Sequence, residues 1–327
     1  MGRQARMLTS NICASEGTFF SQEKFIQAVA HAEIANVRVL RLQSANSSAH
    51  LFGLEYSHTH NRRSVSFAPF GLPAYPNDAD LRLECVSSLI AQLKTILTVG
   101  FDWNVRFDHE HLAKELEGCG LSYFNDTTHV LRLDRPYGDI FREFSASARN
   151  KIRRAGRNGV VVYRATESAD VGTYYQMYKK MIAERPSWRF IHNESTFSAL
   201  FNLKDDVILL LAKFNDTVIS GGWFIRDGAS FCYWQGAMKY QYKSYFPQYA
   251  VIDCAIRLGC IDKMKSFNLG QSLKIQSLEQ FKSFWGAQKV PCWTFVWRNP
   301  IWSSISRIRS VIHGTRCPIS SISEVEH

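Results

Sequence analysis

The chain has 327 residues, enough for two domains of about 150 residues each. Hydrophobic residues make up 46% and charged residues 21% of the sequence, a composition that excludes an intrinsically disordered protein. Lysine and arginine outnumber aspartate and glutamate by 39 to 29, and the resulting net charge of +10 either favours anionic partners such as RNA or phosphorylated substrates or serves solubility alone.

The cysteines and the N-terminus narrow the class of protein. The eight cysteines are scattered and form no CxxC pair, which is typical of reduced thiols in a cytosolic protein and provides no metal site. No apolar segment follows the charged N-terminus and no run of about 18 apolar residues occurs, so neither a secretory signal nor a membrane-spanning helix is predicted. We therefore expect a cytoplasmic protein without a metal ion or a permanently bound cofactor.

The first half of the chain mixes helices and strands. After a tail over residues 1–16, residues 17–33 carry apolar side chains at helical spacing. Three short runs are predicted to form an antiparallel meander of strands: residues 37–43, 49–56 and 63–67. Helices are predicted at 78–97 and 110–118, and strands at 103–107 and 128–133. The apolar stripe of the 78–97 helix runs from Leu81 and Leu83 to Ile96.

Residues 137–159 are the most basic segment of the chain. They are predicted to form one helix that ends at Asn158-Gly159. Five cations fall within nine residues here: Arg149, Lys151, Arg153, Arg154 and Arg157. Like charges this close repel one another unless something negative offsets them, so the segment favours contact with an anion. The alternative is that these cations form a solvent-exposed helix face without an anionic partner.

The second half predicts the element order β-α-α-β-β-β-α-β-α-β. A strand at 160–165, helices at 168–183 and 193–203, and a meander over 206–236 come first. The turns of the meander fall at Asn215-Asp216 and Asp227-Gly228, because these residues tolerate positive φ. A tyrosine-rich loop at 239–246 meets Pro247, a favoured first helical residue, and a strand at 266–269, a helix at 277–285 and a strand at 292–297 follow.

Residues 301–312 are predicted to form an amphipathic helix. Four isoleucines lie on one face of it: Ile301, Ile305, Ile308 and Ile312. A helix of this kind docks either on the surface of its own protein or on the surface of a membrane.

Four segments together resemble the FemAB-like transferases of the GNAT acyltransferase superfamily. They are TFFSQEKF at 18–25, RNKIRRAGRNGVVV at 149–162, SYFPQYAVIDCAIRLGC at 244–260 and FNLGQSLKIQSLEQFKSFWGA at 267–287. The resemblance implies an α/β (α+β) protein of two tandem GNAT-like domains, each a mixed, mostly antiparallel sheet flanked by helices. It implies a tail at 1–16, an N-terminal domain at 17–136, a basic connecting helix at 137–159, a C-terminal domain at 160–298 and an amphipathic tail at 299–327.

The resemblance also implies an activity. Members of this family transfer an aminoacyl group from aminoacyl-tRNA, and relatives transfer an acyl group from acyl-CoA, to an amine. We therefore expect an acyltransferase with one of these co-substrates and with a peptide, an amino sugar or a small metabolite as acceptor. Its reaction needs a positioned donor, loss of a proton from the amine and stabilisation of an oxyanion. A catalytically inactive module that binds RNA or a membrane surface is the alternative from another class.

Lys282 is the predicted catalytic residue. In EQFKSFWGA it occupies the position of the family's lysine near the acyl-transfer centre, where a cation steadies developing negative charge or binds a phosphate. The alternative is an exposed lysine on an amphipathic helix. Gly270, Gln271 and Ser272 follow a strand end, where small residues let a substrate approach the backbone, unless they form only an ordinary turn.

The loop before Pro247 is the predicted donor site. Tyr242 and Tyr245 either stack on an adenine beside free helix amides or only pack over the loop. With Arg149, Lys151, Arg153 and Arg154 they complete the predicted substrate-binding set. QYKSYFPQYA lacks the glycines of the usual acetyl-CoA loop, which favours aminoacyl-tRNA as the donor. We choose no general base among the candidate side chains, which are Asp253, Glu279, His129 and His192.

Overall fold

The computed structural model describes residues 19–32, 37–46, 49–67, 73, 78–184, 192–272 and 275–305. The chain divides into two compact units. Unit 1 holds the described residues within 1–27, 35–125 and 293–327, and unit 2 holds those within 28–34 and 126–292. The domain limits expected from the sequence stay a prediction.

Helices and strands alternate along both halves of the chain. The helices are α1 (Glu23–Ala32), α2 (Ala79–Leu93), α3 (Glu110–Gly118), α4 (Tyr137–Glu143), α5 (Ala146–Arg157), α6 (Ser168–Ala183), α7 (Glu194–Phe201), α8 (Pro247–Ile261) and α9 (Gln276–Ser283). The strands are β1 (Val37–Gln43), β2 (His50–Ser57), β3 (Arg63–Phe67), β4 (Thr98–Val105), β5 (Ser122–Arg132), β6 (Val161–Arg164), β7 (Val207–Phe214), β8 (Thr217–Asp227), β9 (Ser230–Met238), β10 (Ser266–Gln271) and β11 (Gln288–Arg298). From β6 onwards, the order is the one predicted from the sequence.

The sheet of unit 1 has the strand order β1-β2-β3-β4-β11. Its neighbours are antiparallel except for β3 and β4, which run parallel. Asp78 is the N-cap of α2, and its side chain accepts a hydrogen bond from the backbone N–H of Leu81. The face of α2 that is buried consists of Cys85, Val86, Leu89, Ile90 and Leu93, which follow one another at helical spacing.

Two details of the predicted second helix are wrong. Leu81 and Leu83 are 42% and 45% exposed, so the buried stripe does not include them. The helix ends at Leu93 rather than at residue 97, and Ile96 lies in the following loop with 56% of its surface exposed. Leu81 and Leu83 stay exposed because the helix turns a different stripe, centred on Leu89, toward the core.

The sheet of unit 2 has the strand order β5-β10-β9-β8-β7-β6. It is antiparallel except between β9 and β10. Alternate side chains of a strand point to opposite faces, so Phe224 packs in the core that α8 covers, whereas Trp223 meets Tyr174 of α6 and Phe197 of α7. Both units therefore have a mixed, mostly antiparallel sheet flanked by helices, as predicted.

The basic segment is two helices instead of one. α4 ends at Glu143, α5 starts at Ala146, and the side chain of Ser145 accepts a hydrogen bond from the backbone N–H of Ala148. Phe144 is buried against Trp285, with the ring centroids 5.2 Å apart, and the Ser145 N–H donates to the Phe284 carbonyl at 2.9 Å. These contacts to a distant segment hold the backbone extended at Phe144 and interrupt the helix.

Other expectations concern single residues. Asn215 and Asp216 have φ of 46° and 57°, and Gly228 has φ of 59°, as their turns require.

Six of the eight cysteines are described, all as free thiols, and Cys13 and Cys317 lie outside the described residues. Within the described ranges, none of the helices has the length and hydropathy that a membrane crossing requires. The same ranges contain no group of three or more His, Cys, Asp or Glu side chains arranged to hold a metal ion.

Candidate functional site

The parallel strands β9 and β10 separate at one end. Their ladder joins Ser266–Asn268 to Ser230–Cys232 and stops there, although β9 continues to Met238 and β10 to Gln271. α8 connects the two strands, so its N-terminus follows the segment that leaves β9. The carboxyl ends of parallel strands and the N-terminus of the helix between them are where α/β proteins bind ligands.

A bulge at Gly270 shapes the end of β10. The pairing of β10 with β5 shifts register between Asn268 and Gln271, and Gly270 has φ of 78°. The Gly270 carbonyl accepts hydrogen bonds from Thr128 Oγ1 and from Lys282 Nζ, each at 2.8 Å. A Cβ atom at Gly270 would lie 3.1 Å from the Tyr233 carbonyl oxygen, so glycine suits this position for both conformation and space.

Lys282 lies buried in the last turn of α9. Its side chain is 4% exposed, and its Nζ donates to the carbonyls of Gly270 at 2.8 Å and Gln271 at 2.5 Å. An ammonium has three N–H donors, and the third finds no acceptor within the described part of the chain. Burial lowers the pKa of Lys282 from 10.5 to about 8, while the Asp126 carboxylate acts in the opposite direction. The side chain therefore still carries its charge at neutral pH.

Two titratable neighbours of Lys282, Cys292 and His129, are neutral at pH 7. Gln271 Nε2 donates to Cys292 Sγ at 3.4 Å, and burial raises the pKa of the Cys292 thiol to about 11, so this cysteine is not a thiolate at neutral pH. Burial and the charge of Lys282 lower the pKa of His129, whose buried Nδ1 has no hydrogen-bond partner in the described structure. Ser272 is fully buried and its Oγ is likewise unpaired.

Two of the candidate bases are bound to other charged side chains. Asp253 accepts hydrogen bonds from the Tyr137 hydroxyl and from Arg257 Nε, which ties α4 to α8. Glu279 forms an ion pair with Lys289 at 3.1 Å. Glu279 and His129 both interact electrostatically with Lys282, and sequence reasoning missed the placement of His129 because β5 lies beside β10 only in the folded chain.

The cations of α5 contact aromatic side chains of the neighbouring helices. Lys151 donates to the Tyr249 hydroxyl at 3.0 Å and lies 4.8 Å from the centre of its ring. Arg154 lies 4.9 Å from the Phe246 ring and Arg153 lies 5.5 Å from the Phe141 ring, while Arg149 donates to backbone carbonyls of the α4–α5 junction. Lys151 and Arg154 thereby reach the first turn of α8. Cations beside the positive end of a helix dipole favour an anion at that place.

The tyrosine loop forms a short 3-10 helix, Tyr240–Tyr245. Tyr245 and Tyr242 are half-buried and pack against Phe214, with ring centroids 4.6 Å and 6.4 Å away. Packing over the loop is one of the two arrangements expected from the sequence, and ligand stacking is the other. Phe246 then adopts a left-handed conformation with φ of 57° directly before Pro247, the first residue of α8.

Comparison with known proteins gives one domain match and several structural ones. Residues 142–283 match the sequence model of the acetyltransferase (GNAT) domain. A search of curated protein sequences gave no match. The crystal structure of FemX is similar with a TM-score of 0.65 and 14% identity, over 90% of this chain and 96% of that chain.

Two further structures are similar over nearly their whole length. L-PGS from Bacillus licheniformis has a TM-score of 0.57 and 12% identity, over 91% of this chain and 98% of that chain. The C-terminal domain (DUF2156) of a putative lysylphosphatidylglycerol synthetase from Agrobacterium fabrum has a TM-score of 0.57 and 11% identity, over 90% and 93%. These findings confirm the α/β fold expected from the sequence, and the GNAT match over residues 142–283 agrees with the expected acyltransferase class.

Proposed function

Taking the chain as a FemAB-like member of the GNAT superfamily, we propose that it transfers an aminoacyl group from aminoacyl-tRNA to an amine. The acceptor amine belongs to a peptide, an amino sugar or a small metabolite. The observation that carries the proposal is the buried Lys282 ammonium, whose third N–H finds no acceptor among the described residues and which lies at the end of β10 where this strand has left β9. A charged hydrogen-bond donor in a site without water stabilises an oxyanion.

The reaction joins the amine nitrogen to the ester carbonyl carbon of the donor. The carbonyl oxygen gains negative charge as the tetrahedral intermediate forms, and Lys282 stabilises that charge. The carbon–oxygen bond to the ribose then breaks, the tRNA leaves as a free hydroxyl, and the proton that it takes up balances the one that the amine loses. Donor and amine are held together by binding, which supplies much of the rate increase.

Two features favour tRNA as the donor. Lys151 and Arg154 bring positive charge to the first turn of α8, and the positive end of the helix dipole at this place also favours a phosphate. The loop from 240 to 246 contains no glycine, and side chains hinder the close backbone approach that a CoA pyrophosphate requires. A chain of phosphates such as tRNA depends less on one tight backbone loop, since it contacts cations spread along a surface.

Acyl-CoA is the second candidate donor. The observation that favours it is the match of residues 142–283 to an acetyltransferase domain. The chemistry at Lys282 is the same for a thioester, so only the donor differs.

A thermal-shift and transfer experiment tests both donors. The protein is mixed with aminoacylated tRNA, uncharged tRNA, acetyl-CoA or CoA, because a ligand at 100 times its Kd stabilises the folded state by about 2.7 kcal/mol. We expect aminoacylated tRNA to raise the melting temperature and to yield an acylated amine. Lys282→Met is expected to lower the transfer rate about 100- to 1,000-fold, as loss of an oxyanion donor does. Lys265→Met, which changes an exposed lysine of unit 2, is the matched control.

Each outcome separates the candidates. Stabilisation and turnover with acetyl-CoA alone identify the second donor. Binding of tRNA with a steep salt dependence but no acylated product would refute the transferase and favour the RNA-binding module.

The proposed donor also implies a location. Charged tRNA is a cytoplasmic molecule, so the cytoplasm is the proposed compartment, with a peripheral contact to the membrane through residues 301–312. Of this segment the structure describes 301–305, where Ile301 is 50% exposed and Trp302 donates to the Ile96 carbonyl at 2.7 Å. Arg62 lies 4.8 Å from the centre of the Trp302 ring. The exposed Ile301 supports the proposed contact with a lipid surface, whereas the contacts of Trp302 with Ile96 and Arg62 favour docking on the protein's own surface.

A further inference from the structure

Unit 2 contains a cavity of about 330 Å³ beside the second half of α6. One wall is a single face of the helix and its cap, with residues three and four apart: Met177, Lys180, Met181 and Glu184. The opposite wall is the segment that leaves β9, Met238 to Gln241. The volume is that of a small-molecule site, since such sites measure about 300–1,000 Å³.

Three methionines line the cavity. Met177 and Met181 are 3% and 9% exposed, and Met238 is half-buried. Methionine side chains are unbranched and polarizable, so they adapt to apolar groups of different shape. This surface fits an aliphatic or aromatic side chain.

The mouth of the cavity carries charges of both signs. Lys180 and Lys239 are cationic and Glu184 is anionic. Within the described ranges, no hydrogen bond or ion pair engages these three side chains. Two cations and one carboxylate around an apolar interior are complementary to a molecule that has a carboxylate, an ammonium group and an apolar side chain.

We propose that this cavity binds the acceptor and that the acceptor is an α-amino acid with an apolar side chain. The side chain lies against Met177 and Met181, the carboxylate meets Lys180 and Lys239, and the ammonium meets Glu184. The inference rests on the proposed function, because it takes the amine of the bound amino acid as the group that is acylated. The cavity follows β9, the strand that parts from β10 before the Lys282 site.

Methyl NMR of the full chain tests the binding. The protein is labelled with ¹³C at its six methionine methyl groups, each signal is assigned by a Met→Leu substitution, and L-leucine is added. Saturable shifts are expected for Met177, Met181 and Met238. Met264, which is buried in the core of unit 2 and does not line the cavity, is the internal control and is expected to stay unchanged.

Ligand analogues and variants test the recognition. The methyl ester of L-leucine lacks the carboxylate and N-acetyl-L-leucine lacks the free amine, so both are expected to bind more weakly. Lys180→Gln and Lys239→Gln are each expected to weaken L-leucine binding about tenfold, as loss of one charge-assisted hydrogen bond does. Lys179→Gln changes the neighbouring lysine, which lies over the Tyr175 ring instead of at the cavity, and is expected to leave the affinity unchanged.

The outcomes distinguish this inference from the proposed function. If L-leucine shifts none of the three cavity methionines, or if its methyl ester binds equally well, the cavity is not an amino-acid site. Equal binding of N-acetyl-L-leucine shows that the amine is not recognised and overturns the acceptor role. If L-leucine binds specifically but no acyl group is transferred from tRNA or CoA, the amino-acid site is confirmed and the proposed transferase activity is refuted.

Discussion

The charge of Lys282 is expected to reduce the stability of the folded protein at neutral pH. Its pKa falls from 10.5 to about 8 because the ammonium is buried. One pKa unit corresponds to about 1.36 kcal/mol, so keeping this group protonated in the fold costs about 3 kcal/mol. Between pH 8 and 10.5 the unfolded chain binds the proton and the folded chain does not, so stability rises with pH across that window. The neutral amine keeps two N–H donors for the carbonyls of Gly270 and Gln271.

Urea unfolding of the native chain and of Lys282→Met at a series of pH values measures this cost. Methionine has a similar length to lysine and no charge. Subtracting the unfolding free energy of the variant from that of the native chain therefore removes the contribution of all other titrating groups. The native chain is expected to gain about 3 kcal/mol relative to the variant as the pH rises through the window from about 8 to 10.5. A difference that stays constant with pH would show that Lys282 keeps its ordinary pKa and would refute the argument from burial.

Three further predictions concern the same unit. Acyl transfer is expected to decline as the pH rises through about 8, and Lys282→Arg to move that decline upward in a pH–rate profile, because a guanidinium stays protonated. Gly270→Ala is expected to lower the free energy of unfolding by about 1–3 kcal/mol, because its φ is 78°, whereas Gly156→Ala in α5 raises it by about 0.5–1 kcal/mol in the same urea titration. Ser145→Ala, which removes the hydrogen bond to the Ala148 N–H, is expected to lower it by about 0.5–2 kcal/mol in thermal unfolding.

For each of these three predictions, one experimental outcome would contradict it. An unchanged rate from pH 7 to 9 would mean that the charge of Lys282 plays no part in the reaction. Equal effects of the two glycine substitutions would argue against the bulge at Gly270. A stable Ser145→Ala variant would mean that contacts to Phe144 alone interrupt the helix.

Local patterns predicted most elements of the second half. α6 has the predicted limits of 168–183, and the first helical residue of α8 is Pro247, as expected. The turns at Asn215-Asp216 and Gly228 adopt positive φ where the sequence placed them. Such features are readable from sequence because helical periodicity, proline and turn residues act on their immediate neighbours.

The errors arose where distant segments meet. The sequence predicts one helix for the basic segment because its own residues favour helix, yet Phe144 and Ser145 are held by Trp285 and Phe284, which lie about 140 positions later in the chain. The exposure of Leu83 has a similar cause, because the core of unit 1 covers another stripe of α2. Sequence periodicity identifies apolar stripes but does not say which stripe the rest of the fold covers.

The sequence by itself determined the mixed α/β class, the order of elements after β6, and, through a family resemblance, the choice of Lys282. Only the tertiary structure decided that Lys282 is buried, that it donates to the carbonyls of Gly270 and Gln271, and that its pKa is lowered. The division has a physical reason. Element type depends on neighbours along the chain, whereas desolvation and hydrogen bonding of a charge depend on groups that only the folded chain brings together.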